Sequence, residues 1–239
     1  MNYGKVSSAA LDPIEKKPLY RFHPGSMILS AGTFGCNLKC SFCQNWSIAH
    51  TDPGTTDITP EELAGKAYSL TRKGNIGIAY TYNEPSIWYE FVYETSMLVK
   101  KMGMVNVLVT NGFISREPLE NLLPFIDAMN IDLKAFTAKF YKDICSASID
   151  NVKETVKTAA GKCHVEVTTL VIPGLNDSPD EIEELSCWLA SISPEIPLHL
   201  SRFFPNYNMQ DRPPTPVEAL MKARERALGH LKYVFLGNV

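Results

Sequence analysis

With 239 residues, 45% of them hydrophobic, the chain can bury one sizeable core, and a strand–helix barrel of this length is commonly one domain, expected here over residues 1–239. The formal net charge of −3 and the scattered lysines and arginines exclude the basic stripe of a phosphate-backbone binder, so nucleic acid is disfavoured as a partner. No stretch approaches the roughly twenty apolar residues of a membrane span, and residues 1–10 show no apolar run behind a basic start, so a soluble, cytoplasmic protein without a membrane partner is expected.

The first apolar strand run is Met27-Ile28-Leu29, and a cysteine cluster follows it. Thr59-Pro60-Glu61-Glu62 then opens a helix, with a hydroxyl N-cap, a proline whose missing N–H is not needed at the first position, and a glutamate able to bond back to the cap. This helix runs towards Gly74 with Leu63, Ala67 and Leu70 on one face. The second strand run, 76–80, leads to Asn83-Glu84-Pro85 and a helix over 87–100, in which Trp88, Tyr89, Phe91 and Tyr93 read as core cover. The run 105–109 ends in Thr110-Asn111-Gly112, 129–133 contains Asp132, and 165–172 ends in a Pro-Gly turn. Ser178-Pro179-Asp180-Glu181 opens a helix carrying Ile182, Leu185 and Leu189. The sixth run, 196–204, holds His199 and Arg202, and Thr215-Pro216-Val217-Glu218 is a third helix start of the same kind.

Apolar runs without alternation fit strands covered on both faces, as in a parallel sheet. The repeated strand–helix order predicts an α/β barrel or part of one. Polar residues gather just after the strands, where barrels and parallel sheets bind ligands, so these loops are expected to share one site.

Six cysteines without a secretory signal argue against a disulfide framework. Gly35-Cys36-Asn37-Leu38-Lys39-Cys40-Ser41-Phe42-Cys43-Gln44 puts three thiols within eight residues, so one compact loop can present all three to a single metal centre. A cubane cluster has four irons held by thiolates, and three local ligands leave one iron open to a small molecule. A structural zinc site would instead close with four ligands. Cys145, Cys163 and Cys187 are distant in sequence, with no second CxxC and no metal-spaced histidine beside them. The bare CxxC of Cys40 and Cys43 also fits a thioredoxin-like pair, but the third cysteine and the lack of a matching βαβ start speak against it.

This CxxxCxxC pattern, with the aromatic Phe42 before its third cysteine, resembles the hallmark of the radical S-adenosylmethionine (SAM) superfamily. The resemblance implies a partial (β/α)6 TIM-like barrel and a [4Fe–4S] cluster on Cys36, Cys40 and Cys43, whose open iron chelates the methionine moiety of SAM. It further implies an external one-electron donor such as flavodoxin or ferredoxin, and a 5′-deoxyadenosyl radical that abstracts hydrogen. Asn83-Glu84-Pro85 stands in the place of the family's GGE-type motif, which receives the SAM ammonium, although Tyr82 and Asn83 replace its glycines. A helix-N-terminal carboxylate is the plain alternative. Thr110-Asn111-Gly112 resembles the D-T-N-G turn of glycyl-radical activating enzymes, with Val109 in place of the aspartate, and Asp132-Leu133-Lys134 resembles their D-x-K element. An ordinary ion pair is the alternative there. Pro173-Gly174-Leu175-Asn176-Asp177 is similar to their P-G-x-x-D turn and reads as structural. Together these matches assign Phe42, Gln44, Glu84, Thr110, Asn111, Asp132, Lys134 and His199 to SAM, with His199 at the ribose or only in packing, and they name no catalytic residue.

Beyond this core, Asn2-Tyr3-Gly4-Lys5-Val6-Ser7-Ser8, Ser201-Arg202-Phe203, Asp211-Arg212-Pro213-Pro214-Thr215-Pro216 and Gly237-Asn238 are similar to AmmeMemoRadiSam system radical SAM proteins, relatives of pyruvate formate-lyase activating enzymes. Two departures stand out: the Cys-rich flanks of that subgroup are not in this sequence, and Phe204 stands where relatives often have histidine. The expected function is that of an activating-enzyme-like radical SAM oxidoreductase acting on a protein or peptide. Radical modification of RNA or a small metabolite, and a non-enzymatic module that is either an electron carrier or a zinc site with Cys145 or Cys163 as its fourth ligand, are the alternatives.

Overall fold

The computed structural model describes residues 2–239. Its strands are β1 (Lys5–Val6), β2 (Ser8–Pro13), β3 (Met27–Gly32), β4 (Thr56–Asp57), β5 (Asn75–Tyr80), β6 (Val105–Thr110), β7 (Ala128–Asp132), β8 (His164–Val171), β9 (Leu198–Arg202) and β10 (Val234–Gly237). The helices are α1 (Trp46–Ala49), α2 (Pro60–Ser69), α3 (Tyr89–Lys101), α4 (Arg116–Leu122), α5 (Ala138–Phe140), α6 (Ile149–Ala160), α7 (Pro179–Ile192) and α8 (Val217–Leu228), and a π-helical turn over Tyr141–Cys145 follows α5. Among the described residues no helix is long and apolar enough to cross a membrane.

One eight-stranded sheet runs in the order β10-β9-β8-β7-β6-β5-β3-β2, and only the β2–β3 pair is antiparallel. Strands β2 and β10 are its two edges and do not pair with each other, so the barrel is partial. The six predicted runs are the parallel strands β3 and β5 to β9. A seventh parallel strand, β10, sets Val234 opposite Leu198; its short run Val234-Phe235-Leu236 carries too little periodicity to be read in advance.

Alternate residues of these strands face two cores, as the pleat requires. Leu29, Ala31, Ile78, Tyr80, Met129 and Ile131 pack outward with helix residues such as Leu63, Phe91, Val99 and Val152. Ile28, Ala79, Val107 and Ala128 face inward and pack on Ile14 and Leu19. Burial on both faces explains the apolar runs without alternation.

The segment 14–22 therefore crosses the barrel interior and forms its floor. Glu166 accepts the Tyr20 N–H at 3.0 Å and the Arg21 N–H at 2.7 Å, and Asn130 Nδ2 donates to the Pro18 carbonyl at 2.9 Å. The Tyr20 ring then packs against Phe235 of β10, with centroids 4.9 Å apart.

Two of the three proline-marked helix starts form as the sequence predicts. Thr59 makes the full capping box with Glu62, and the Ser178 side chain accepts the Glu181 N–H. Thr215 is different: α8 begins only at Val217, and the Thr215 hydroxyl accepts the Phe203 N–H at 3.1 Å while donating to the Val171 carbonyl at 2.6 Å. The buried ends of β8 and β9 have backbone groups that need partners, and that demand takes the hydroxyl away from the helix.

Candidate active site

At the carboxyl ends of the strands an open-mouthed cavity is lined by Cys36, Cys40, Phe42, Cys43, Gln44, Glu84, Thr110, Asn111, Asp132 and Lys134, so the structure gathers ten of the eleven predicted site residues. The eleventh, His199, is not among the lining residues. It lies on the interior face one pleat below Ser201, where its ring meets Glu166 Oε2 at 2.6 Å and packs on Tyr20 and Phe235. The floor of the barrel claims this side chain, which favours the packing alternative over the ribose contact.

The cysteine loop is fixed from several sides. Leu38 and Phe42 are buried anchors, and Phe42 packs against Phe140. Lys39 N–H donates to the Cys145 carbonyl at 3.0 Å, Asn37 Nδ2 to the Phe113 carbonyl at 2.7 Å and Asn83 Nδ2 to the Gly35 carbonyl at 3.0 Å. Gly35 has φ +87°, a left-handed conformation that suits glycine just before the first thiol. Cys40 is buried, whereas Cys36 and Cys43 are half-buried at the cavity wall. Burial pushes the Cys36 thiol up to about 11 and also raises that of Cys43. A hydrogen bond from the Cys145 thiol, with the Lys134 charge nearby, outweighs burial at Cys40 and brings it down to about 7.

Cys145 enters the sequence reading only as a fourth ligand of the zinc alternative; the carbonyls of the π-helical turn that carries it accept hydrogen bonds from the cysteine loop. A fourth thiol beside Cys40 raises the question of a closed single-ion site. Among the described residues, however, the one Cys, His or carboxylate group whose ligand atoms all lie within 4.8 Å of one another is Glu183, Cys187 and His230. The loop thiols are spread more widely, whereas thiolates on one tetrahedral zinc stand about 3.8 Å apart, given a Zn–S bond of about 2.3 Å. Their spread suits the several irons of a cluster.

Glu84 is 2% exposed and follows a tight turn in which Tyr82 has φ +74°. Its carboxylate accepts the Ser86 N–H at 2.9 Å, the Thr110 hydroxyl at 2.8 Å and the Asn111 N–H at 2.8 Å. Burial nonetheless raises its pKa, because these donors do not fully replace water and no ion pair among the described residues includes it. A buried carboxylate in hydrogen-bond contact but without a cation keeps acceptor capacity for a cationic partner.

Asn111 continues the contact, donating from Nδ2 to Asn37 Oδ1 at 2.8 Å and lying 3.6 Å from Cys36 Sγ. Gly112 at φ +71° lets the turn close, since a Cβ there would meet Ile131 Cγ2 at 2.9 Å. Across the cavity, Lys134 Nζ lies 3.1 Å from Asp132 Oδ2. Burial alone would lower the Lys134 pKa, but Asp132, Cys40, Cys145 and Tyr141 together raise it well above the ordinary lysine value. The wall thus carries a fixed positive charge facing the thiols.

The predicted turn after β8 supports this lysine from behind. Asn176 Nδ2 donates to the Lys134 carbonyl at 2.7 Å, and Asn176 Oδ1 accepts the Ile172 N–H at 2.7 Å. Thr168, Leu170 and Ser201 also line the cavity and were missed by the sequence reading; counting two residues along from Glu166 and His199 would have found them. Phe204 does not line the cavity: it is 42% exposed, and the Arg202 guanidinium sits 4.8 Å over its ring. Cys187, with no metal-spaced histidine beside it in sequence, lies 3.5 Å from the His230 ring because folding joins residues that are 43 positions apart.

The family model of the radical SAM superfamily matches residues 31–186. An uncharacterized protein of Methanocaldococcus jannaschii is 46% identical over 100% of the chain and 72% of its own length. The pyruvate formate-lyase 1-activating enzyme of Escherichia coli is 28% identical over 63% of each chain. Among solved structures, Streptococcus suis SuiB bound to precursor peptide SuiA superposes with a TM-score of 0.69 at 13% identity, covering 86% of this chain and 47% of that one.

Proposed function

The chain belongs to the radical SAM superfamily, and from that premise we propose that it is an activating-enzyme-like oxidoreductase that abstracts hydrogen from a protein or peptide. In this reading Cys36, Cys40 and Cys43 hold a [4Fe–4S] cluster, and SAM binds in the cavity beside them. Loaded in this way, the cofactors supply reductive cleavage of SAM to methionine and a 5′-deoxyadenosyl radical. The observation that carries the reading is the shared wall of the three thiols and the buried, cation-free Glu84.

Each residue then has a task. Glu84 holds the SAM ammonium through its remaining lone pair, and Thr110 and Asn111 fix the carboxylate for it. Lys134, anchored by Asp132 and by Asn176, presents positive charge to the SAM carboxylate and offsets the negative charge gathered on the thiolates. Phe42 and Gln44 lie beside the third cysteine and face the rest of the cofactor, and Ser201 offers a hydroxyl where His199 and Phe204 do not reach. An external reductant such as flavodoxin or ferredoxin would supply the electron.

Likeness to an activating enzyme and to a peptide-bound radical SAM structure supports a protein or peptide substrate. Affiliation with the AmmeMemoRadiSam group belongs to the same reading. A four-thiolate zinc site with Cys145 is the second reading that the Cys40 contact raises, and the wide spread of the loop thiols counts against it.

Anaerobic reconstitution with iron and sulfide tests the proposal. The expected result is about four irons per chain with reductant-dependent formation of 5′-deoxyadenosine, both lost in Cys40→Ser. Stoichiometric zinc on the loop cysteines with no SAM cleavage would overturn it.

A further inference from the structure

Glu183 and Cys187 are spaced i and i+4 on α7, which stacks their side chains on one face of the helix. His230 reaches them from the turn after α8, where its N–H bonds to the Ala227 carbonyl. The trio lies on the outside of the barrel and takes no part in the cavity described above.

The distances are informative. His230 Nε2 is 3.3 Å from Glu183 Oε1, and Cys187 Sγ is 3.5 Å from both ring nitrogens. A charge-assisted hydrogen bond between imidazole and carboxylate would close to about 2.8 Å. The equal distances to both nitrogens put Cys187 Sγ over the imidazole face, so a turn of the ring about its Cβ–Cγ bond is what would aim Nε2 at an ion shared with the sulfur and Glu183 Oε1, with bonds of about 2.3 Å to sulfur and about 2.1 Å to nitrogen and oxygen. All three ligand atoms lie within 4.8 Å of one another, as no other such group does among the described residues. The second carboxylate oxygen of Glu183 is already held by Arg226 Nη1 at 2.8 Å, which leaves Oε1 to act as a single-oxygen ligand oriented from outside.

We propose that Glu183, Cys187 and His230 bind a zinc-class divalent ion, with water in the fourth position. A thiolate, a carboxylate and a neutral imidazole together bring two negative charges, which balance the ion. Thiolate plus imidazole selects zinc and its neighbours in the transition series over magnesium or calcium. The ion ties α7 to the end of α8, immediately before edge strand β10, and so fastens the last strand of the barrel. This inference does not rest on the proposed radical chemistry.

Zinc titration of cluster-loaded protein by equilibrium dialysis, with iron and zinc counted separately, tests it. The expected result is one zinc per chain with a Kd at or below about 10 μM. That affinity falls at least tenfold in Cys187→Ser and in His230→Ala while iron content is unchanged. Cobalt(II) added to a Cys36→Ser/Cys40→Ser/Cys43→Ser variant should show thiolate-to-metal charge transfer and tetrahedral d–d bands, lost on adding Cys187→Ser. A hundredfold excess of zinc over Kd should raise Tm by about 5 °C in the wild type and not in Glu183→Gln/Cys187→Ser. Zinc binding that survives Cys187→Ser and His230→Ala, or that requires the loop cysteines, overturns the site.

Discussion

Two glutamates lie inside the same barrel with almost no exposure, and they are treated in opposite ways. Glu166, in the floor, is pushed up by burial but takes hydrogen bonds from His164, His199 and the Arg21 and Tyr20 N–H groups, which together hold it down to about 2. Glu84, at the mouth, has three donors yet stays above the ordinary carboxylate range. The floor is polar and self-sufficient; Asn130 and Thr168 also exchange hydrogen bonds there. The cavity is polar and unfinished. Burial alone does not distinguish structure from function here; the presence or absence of enough internal partners does.

Substitution should separate the two. Glu166→Gln leaves four donors facing one acceptor oxygen and an amide, and should cost about 3 kcal/mol of unfolding free energy by chemical denaturation. Its pH dependence has a definite sign: a carboxylate depressed on folding adds stability above its unfolded pKa, and that stability drains away as pH falls from about 4.5 to about 2. Acid titration of stability should therefore be shallower in Glu166→Gln over that window, and equal slopes would break the comparison.

Glu84→Gln should act in the reverse sense. Stability should change by less than about 1 kcal/mol, whereas SAM affinity measured by calorimetry should weaken about 10- to 100-fold through loss of the ammonium partner. The smallest effect is expected at His199→Gln, with SAM affinity within about threefold of wild type because the side chain serves the floor. A large loss there would place the histidine back in the site.

The same contrast governs what could be read from the sequence. The cysteine loop, Glu84 and the Asp132–Lys134 pair were legible because each is a local pattern at the end of an apolar run. The floor was not, since Glu166 finds its partners through the Tyr20 and Arg21 backbone more than a hundred residues away. His199 shares its strand with Ser201, and only the register between β8 and β9 tells which of the two reaches the cavity. Cys145 beside Cys40, Thr215 between two strand ends and His230 beside Cys187 are likewise products of tertiary pairing. Local propensity carries no trace of them.

The hydrogen bond from Tyr20 to Glu166 spans 146 residues. A chain emerging amino end first makes the segment 14–22 early, yet cannot seat it until β8 has been synthesised and aligned. Loop closure over that separation is slow, and until it happens Ile28, Ala79, Val107 and Ala128 stand without their cover of Ile14 and Leu19. Segment 14–22 is thus expected to dock late, with the apolar inner faces of these strands uncovered until it does.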